Sequence, residues 1–157
     1  MSDISILAGI LAELSKTTSK RFDAGSFQSR LRIQKSIYLL SVLGVPEVKG
    51  YAFSHYVRGP YSPSLAKDYY ALETTPVSPK KVMLSSRQLR IIKECVEKGD
   101  AFLEAVSTLH SIAMSNKNHS EEEIINHVRD LKPHLNFCLK EAWQFLRTHR
   151  LVRQQYT

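Results

Sequence analysis

Six histidines, His55, His110, His119, His127, His134 and His149, are where metal or acid–base chemistry would first be sought, because imidazole both ligates metals and titrates near neutrality. None pairs with another His, a Cys or a carboxylate in the local pattern of a zinc site. His110 falls beside an apolar helical stripe, and His119, His127 and His134 read as helix-boundary or surface residues. A nuclease-like fragment exists in Glu47-Val48-Lys49 with Asp23 upstream, since an acid plus an E-x-K pair can hold a cation and activate water. It follows Pro46 in a turn and lacks the strand-borne acid such a site needs, so solvated turn residues are the simpler reading. Cys95 and Cys138 each lie in an apolar helical stretch and are expected as buried, reduced thiols. There is no G-x-S-x-G, no Walker loop, no H-E-x-x-H and no C-x-x-C. The expectation is a protein with no catalytic residue, no metal and no cofactor.

Binding is the better-supported chemistry. Lys+Arg 22 against Asp+Glu 15 gives a formal net charge of +7, which favours a polyanionic partner through counterion release. One basic block holds Lys16, Lys20, Arg21, Arg30, Arg32 and Lys35 against only Asp23. A second, from Lys80 to Lys93, holds Lys80, Lys81, Arg87, Arg90 and Lys93 with no acid. From Glu94 to Asp130 the balance reverses, and that segment should repel nucleic acid. Gln28, Arg32 and Lys35 share one helical face with Arg30 a little around the cylinder. The expected nucleic-acid contacts are therefore Gln28, Arg30, Arg32, Lys35, Arg58, Arg87 and Arg90, the cations meeting phosphates while Gln28 and Arg32 reach base edges. The competing reading is a protein partner that docks on Tyr56, Arg58, Tyr61 and Tyr70 around the Gly59-Pro60-Tyr61-Ser62 turn.

These residues must be positioned by a mainly helical chain. At 157 residues with 43% hydrophobic and 24% charged residues, it has the composition of one folded domain, 1–157, rather than a disordered chain. Ile4, Leu7, Leu11 and Leu14 predict a first helix ending near Ser15 to Ser19. Ser26 caps a second, which Gly44 and Pro46 stop. Alternation from Tyr51 to Val57 predicts a strand closed by a Gly59-Pro60 turn. Its expected partner is Val77 to Leu84, forming a wing with an inserted helix that Ser62-Pro63 opens. Residues 1–84 are thus read as winged-helix-like and 85–157 as helical.

In the second part, Ser85 or Ser86 opens one helix that Gly99 closes, and Asp100 caps the next. Ser120-Glu121-Glu122-Glu123 is a capping box. Pro133 opens the last helix, whose C-terminal end is loaded with Arg147, Arg150 and Arg153. No apolar run is long enough for a bilayer span, and the apolar start from Ile4 is broken by Glu13 and lacks a basic leader, so a cytoplasmic protein is expected.

The stretch from Arg30 to Leu72, with its QK-x-x-YLL helix, aromatic strand, G-P-Y-S turn and capped helix, resembles the YwgA-like prokaryotic proteins and, more remotely, the Panacea domain of antitoxin-like and phage-associated proteins. The T-L-H at Thr108 to His110, Lys132-Pro133 and the E-A-W-x-x-L at Glu141 to Leu146 extend the resemblance into the second half. It implies a non-enzymatic role in regulation or defence through a partner. A homodimer would supply the two half-sites that winged-helix proteins use.

Overall fold

A computed structural model describes residues 3–56 and 59–153. Among them the chain is mainly helical: α1 (Ile4–Thr18), α2 (Phe27–Val42), α3 (Pro63–Leu72), α4 (Ser86–Glu97), α5 (Asp100–Ser115), α6 (Glu121–Leu131) and α7 (Leu139–Thr148). Two short strands, β1 (Ser54–Tyr56) and β2 (Gly59–Tyr61), interrupt the helices. No helix is long and apolar enough to cross a membrane among the described residues.

Local chemistry sets most helix starts. Ser26, Ser62, Ser85 and Ser120 each cap a helix by accepting a backbone N–H three residues on, and at Ser85 and Ser120 the reciprocal Gln88 and Glu123 bonds complete capping boxes. Two boundaries differ from the sequence reading. Gly99, at φ 117°, is the cap of α5, which frees the Asp100 carboxylate for Arg32 instead of its own helix end. Beyond Pro133 the chain runs first as a 3-10 segment, Pro133–Cys138, and only then as α7.

The wing also differs. β1 pairs antiparallel with β2 in the register Ser54↔Tyr61, His55↔Pro60, Tyr56↔Gly59, so Gly59 and Pro60 lie in a strand and not in a closing turn. Val77 to Leu84 is not a strand. Pro76 and Pro79 break any ladder, and the segment lies along α1, where the Lys80 amide donates to the Ser5 carbonyl at 2.9 Å. Gly9 permits this approach, since a Cβ there would overlap the Lys80 carbonyl.

One apolar cluster runs from Leu7 in α1 to Leu146 in α7 and joins both parts of the chain. Helix α5 is at its centre, buried at every position from Phe102 to Ser111 and touching α2, α4, α6, α7 and β2. A helix buried all round must satisfy its polar side chains internally. His110 accepts a 2.7 Å hydrogen bond from the Tyr38 hydroxyl at Nδ1, and Glu104 meets Lys132. Burial lowers His110 to about 4, against the opposing pull of a hydrogen bond with the Leu151 backbone. It is a core histidine. Cys95 and Cys138 are buried free thiols, both raised by burial.

Candidate functional site

The basic residues of α2 are mostly turned to internal work. Lys35 is buried, and its Nζ donates to the Pro60 carbonyl at 2.8 Å. Arg32 is paired with Asp100, its Nε 2.9 Å from Oδ1, and a further nitrogen donates to the Arg21 carbonyl. Arg30 donates to the Ala24 carbonyl and is half-buried, while Gln28 stays exposed. The expected nucleic-acid face of α2 is thus corrected at Lys35 and Arg32. Burial removes the first from a surface partner, and an aspartate from α5, 68 residues away in sequence, neutralises the second. Arg58 lies outside the described residues, and the Tyr56 backbone is paired with Gly59.

Gln34, next to Lys35, holds the hairpin from the same helix. Its Nε2 donates to the Ser62 carbonyl at 3.0 Å and its Oε1 accepts from the Ser62 amide at 2.9 Å. A side-chain amide matches a backbone amide donor-for-acceptor, so one glutamine saturates both buried groups of a residue. Gly59, at φ +88°, completes the fit, because a Cβ would collide with the Thr108 hydroxyl of α5. The adjacent glutamine and lysine of the QK-x-x-YLL segment were the signal for this grip.

Beside the grip, α2, β2, α3, α5 and the Pro133–Cys138 segment enclose a cleft of about 430 Å³. Phe27, Leu31, Tyr61, Tyr69 and Tyr70 form its apolar wall, and Arg30, Lys35, Glu104, Lys132 and His134 supply charge or polarity. Lys132 and Glu104 form a buried ion pair at 2.8 Å, and His134 Nε2 lies 3.3 Å from the other Glu104 oxygen. Tyr69 lies within hydrogen-bonding distance of Gln34 Nε2, and burial, the larger influence, pushes its hydroxyl up to about 12. The sequence reading placed Tyr61 and Tyr70 in a partner surface but missed Glu104, Lys132 and His134, which come from segments far apart in the chain.

A separate basic surface forms where α4 begins and α7 ends. Arg87 Nη2 donates to the His149 carbonyl at 2.8 Å, joining two stretches without a single acid, 74–93 and 142–157. Arg87, Arg90, Arg150 and Arg153 are all exposed. Of the acids at this junction, Glu94 lies 3.7 Å from His149 and Glu121 lies 3.9 Å from Arg147. Arg150 sits at φ 58°, a left-handed turn that ends the helix. The N-terminal end of α4, with its positive dipole, adds to the same potential.

Glu47 and Lys49 are exposed about a 3-10 turn whose Val48 is buried, an arrangement of ordinary turn residues. Among the described residues, no group of three His, Cys, Asp or Glu side chains is placed to hold a metal ion. No family model, curated protein or solved structure matches the chain. Fold and side chains therefore define its class: a mainly helical protein with a basic surface and an aromatic, charge-lined cleft.

Proposed function

We propose that the chain is a non-enzymatic binding module that contacts nucleic acid through the α4–α7 surface, with Arg87, Arg90, Arg150 and Arg153 neutralising phosphates. The observation that carries the reading is the Arg87–His149 bond, which brings the start of α4 to the end of α7, each within an acid-free, basic stretch of the sequence. A surface of arginines suits backbone contact, and phosphate contacts carry little sequence information. In this reading α2 and the hairpin are the winged-helix-like part of the chain, with the hairpin as an internal brace for α2. A prokaryotic regulatory or defence setting follows from the resemblance to YwgA-like and Panacea proteins.

The test is fluorescence anisotropy of labelled duplex DNA and RNA at low and near-physiological salt, with the double variant Arg90→Glu, Arg150→Gly. Glycine at 150 removes the charge without straining a left-handed backbone. Steeply salt-dependent binding that the double variant loses and Arg32→Ala keeps is the expected result. Binding that ignores the double variant would overturn the reading. A protein-only adaptor or antitoxin-like partner role is the second reading, favoured by the half-exposed Phe27 and Tyr70 beside the cleft, and salt-insensitive capture of a protein partner would select it.

A further inference from the structure

We propose that the cleft beneath Phe27 and Tyr70 binds an uncharged, flat aromatic ligand that carries an amide, whose N–H donates to Glu104. The site shares no residue with the α4–α7 surface, so it stands or falls separately from the nucleic-acid reading.

The polar floor is the first argument. Glu104 lines the cleft and is 9% exposed. Its Oε2 accepts from Lys132 Nζ at 2.8 Å, and the two charges cancel, so this part of the floor offers hydrogen bonding and no net charge. Its Oε1 is approached at 3.3 Å by Nε2 of His134, whose side chain is 60% exposed. A carboxylate oxygen accepts at two lone pairs, and a buried one gains from each donor that replaces lost water. Oε1 therefore keeps room for a ligand N–H. Arg30, on the same cleft, gives one guanidinium nitrogen to the Ala24 carbonyl at 2.9 Å and has further N–H groups for an acceptor such as an amide carbonyl. A donor and an acceptor on one small neutral group describe an amide. A carboxylate ligand would set its charge against Glu104 and has no N–H to give it.

Shape is the second. Leu31, Tyr61, Tyr69 and Tyr70 line the same space, and the Tyr69 and Tyr70 rings are 5.1 Å apart and tilted by 52°. Phe27 and Tyr70 remain 50% and 51% exposed, large rings left in water beside the opening, where a flat body would cover them. A volume of about 430 Å³ is that of a small-molecule site and not of a protein-sized groove. Gln34, fully engaged with Ser62, and Tyr69, close to Gln34, keep the floor rigid, so binding orders little that is not ordered already.

The experiment titrates benzamide into the protein and follows NMR shifts. Methyl benzoate keeps the flat body without the N–H, acetamide keeps the amide without the body, and benzoate replaces the amide by a charge. The N–H is deleted from the ligand and not from its acceptor, because replacing Glu104 would strand the buried Lys132 and destabilise the chain. The proposal expects saturable benzamide binding, with shifts concentrated on Leu31, Tyr61 and Tyr70 and on the Lys132 to His134 segment. Methyl benzoate, acetamide and benzoate should each bind about tenfold more weakly, through the loss of a hydrogen bond to a charged group or of the buried ring. Tyr70→Ala, at the exposed rim, should weaken benzamide about fivefold while the rest of the spectrum is retained. Methyl benzoate or benzoate binding as tightly as benzamide, shifts scattered over other surfaces, or unchanged affinity in Tyr70→Ala would overturn the proposal. So would the absence of saturable benzamide binding, including the case in which only a peptide or a nucleic acid moves the same signals.

Discussion

Helix α2 carries Arg30, Arg32 and Lys35, and α4 carries Arg87, Arg90 and Lys93, so the two look alike as basic stretches. In the fold, α2 lies against α5, the hairpin and α4, and its polar groups are used to hold them: Gln34 on Ser62, Lys35 on Pro60, Arg32 on Asp100 and Tyr38 on His110. Helix α4 buries only Ile91, Ile92, Cys95 and Val96 and leaves Arg87 and Arg90 in water. Three cations in each helix thus become structure in one and surface in the other. What decides is whether packing buries the cation or pairs it with a carboxylate from another helix, as for Lys35 and Arg32, or leaves it exposed, as for Arg87 and Arg90.

The largest effect that would separate the two helices is on stability. Gln34→Ala strips both buried backbone groups of Ser62 of their partner and is expected to cost about 2–4 kcal/mol in urea denaturation. Gln88→Ala on α4, which loses a capping-box bond and a bond to the Leu43 carbonyl, should cost about 1 kcal/mol. Equal losses would erase the contrast.

Acid should test the α2–α5 contact next. His110 titrates at about 4 when folded and near its ordinary 6.5 when unfolded, so below 6.5 the unfolded chain takes up the extra proton. Its contribution is complete above pH 6.5 and is lost as pH falls from 6.5 to about 4, on the order of 3 kcal/mol in total. Denaturation midpoints of the wild type and His110→Gln across that window check it: the variant's midpoint should fall less steeply.

Function should show the reverse order of the helices. Arg90→Glu is expected to lower nucleic-acid affinity about tenfold and reduce the salt slope, with folding stability changed by only about 0.5 kcal/mol. Arg32→Ala should do the opposite, costing about 1 kcal/mol of stability through the lost Asp100 pair while anisotropy titrations stay unchanged. The smallest expected effect is at Arg150, where replacing a side chain at φ 58° by glycine should raise stability by about 0.5 kcal/mol, read from the thermal midpoint.

Much of the helical scaffold was legible residue by residue. Ser26, Ser62-Pro63, Ser85 and Ser120-Glu123 announce helix starts because a cap is a bond within three residues, and local chemistry suffices to set it. Asp100 was misread for the same reason, since its type suits a cap but its partner, Arg32, comes from α2. The Val77 to Leu84 strand failed because strand pairing is a long-range choice, and the nearer Gly59–Tyr61 segment took the position beside β1.

Of the candidate sites, Arg87, Arg90, Tyr61 and Tyr70 were visible as types and spacings, whereas Glu104, Lys132 and His134 were not, because no local pattern links residues 28 and 30 positions apart. The sequence by itself determined the helical class, the caps, the excess of positive charge and the two basic blocks, all properties of composition or of neighbours within one or two turns. Only the tertiary structure decided which cations are buried and which exposed, that Arg87 joins the two acid-free stretches, and that three tyrosines and two buried lysines line one cleft. Burial and ion pairing depend on contacts between residues distant in the chain, and those exist only once the helices have packed.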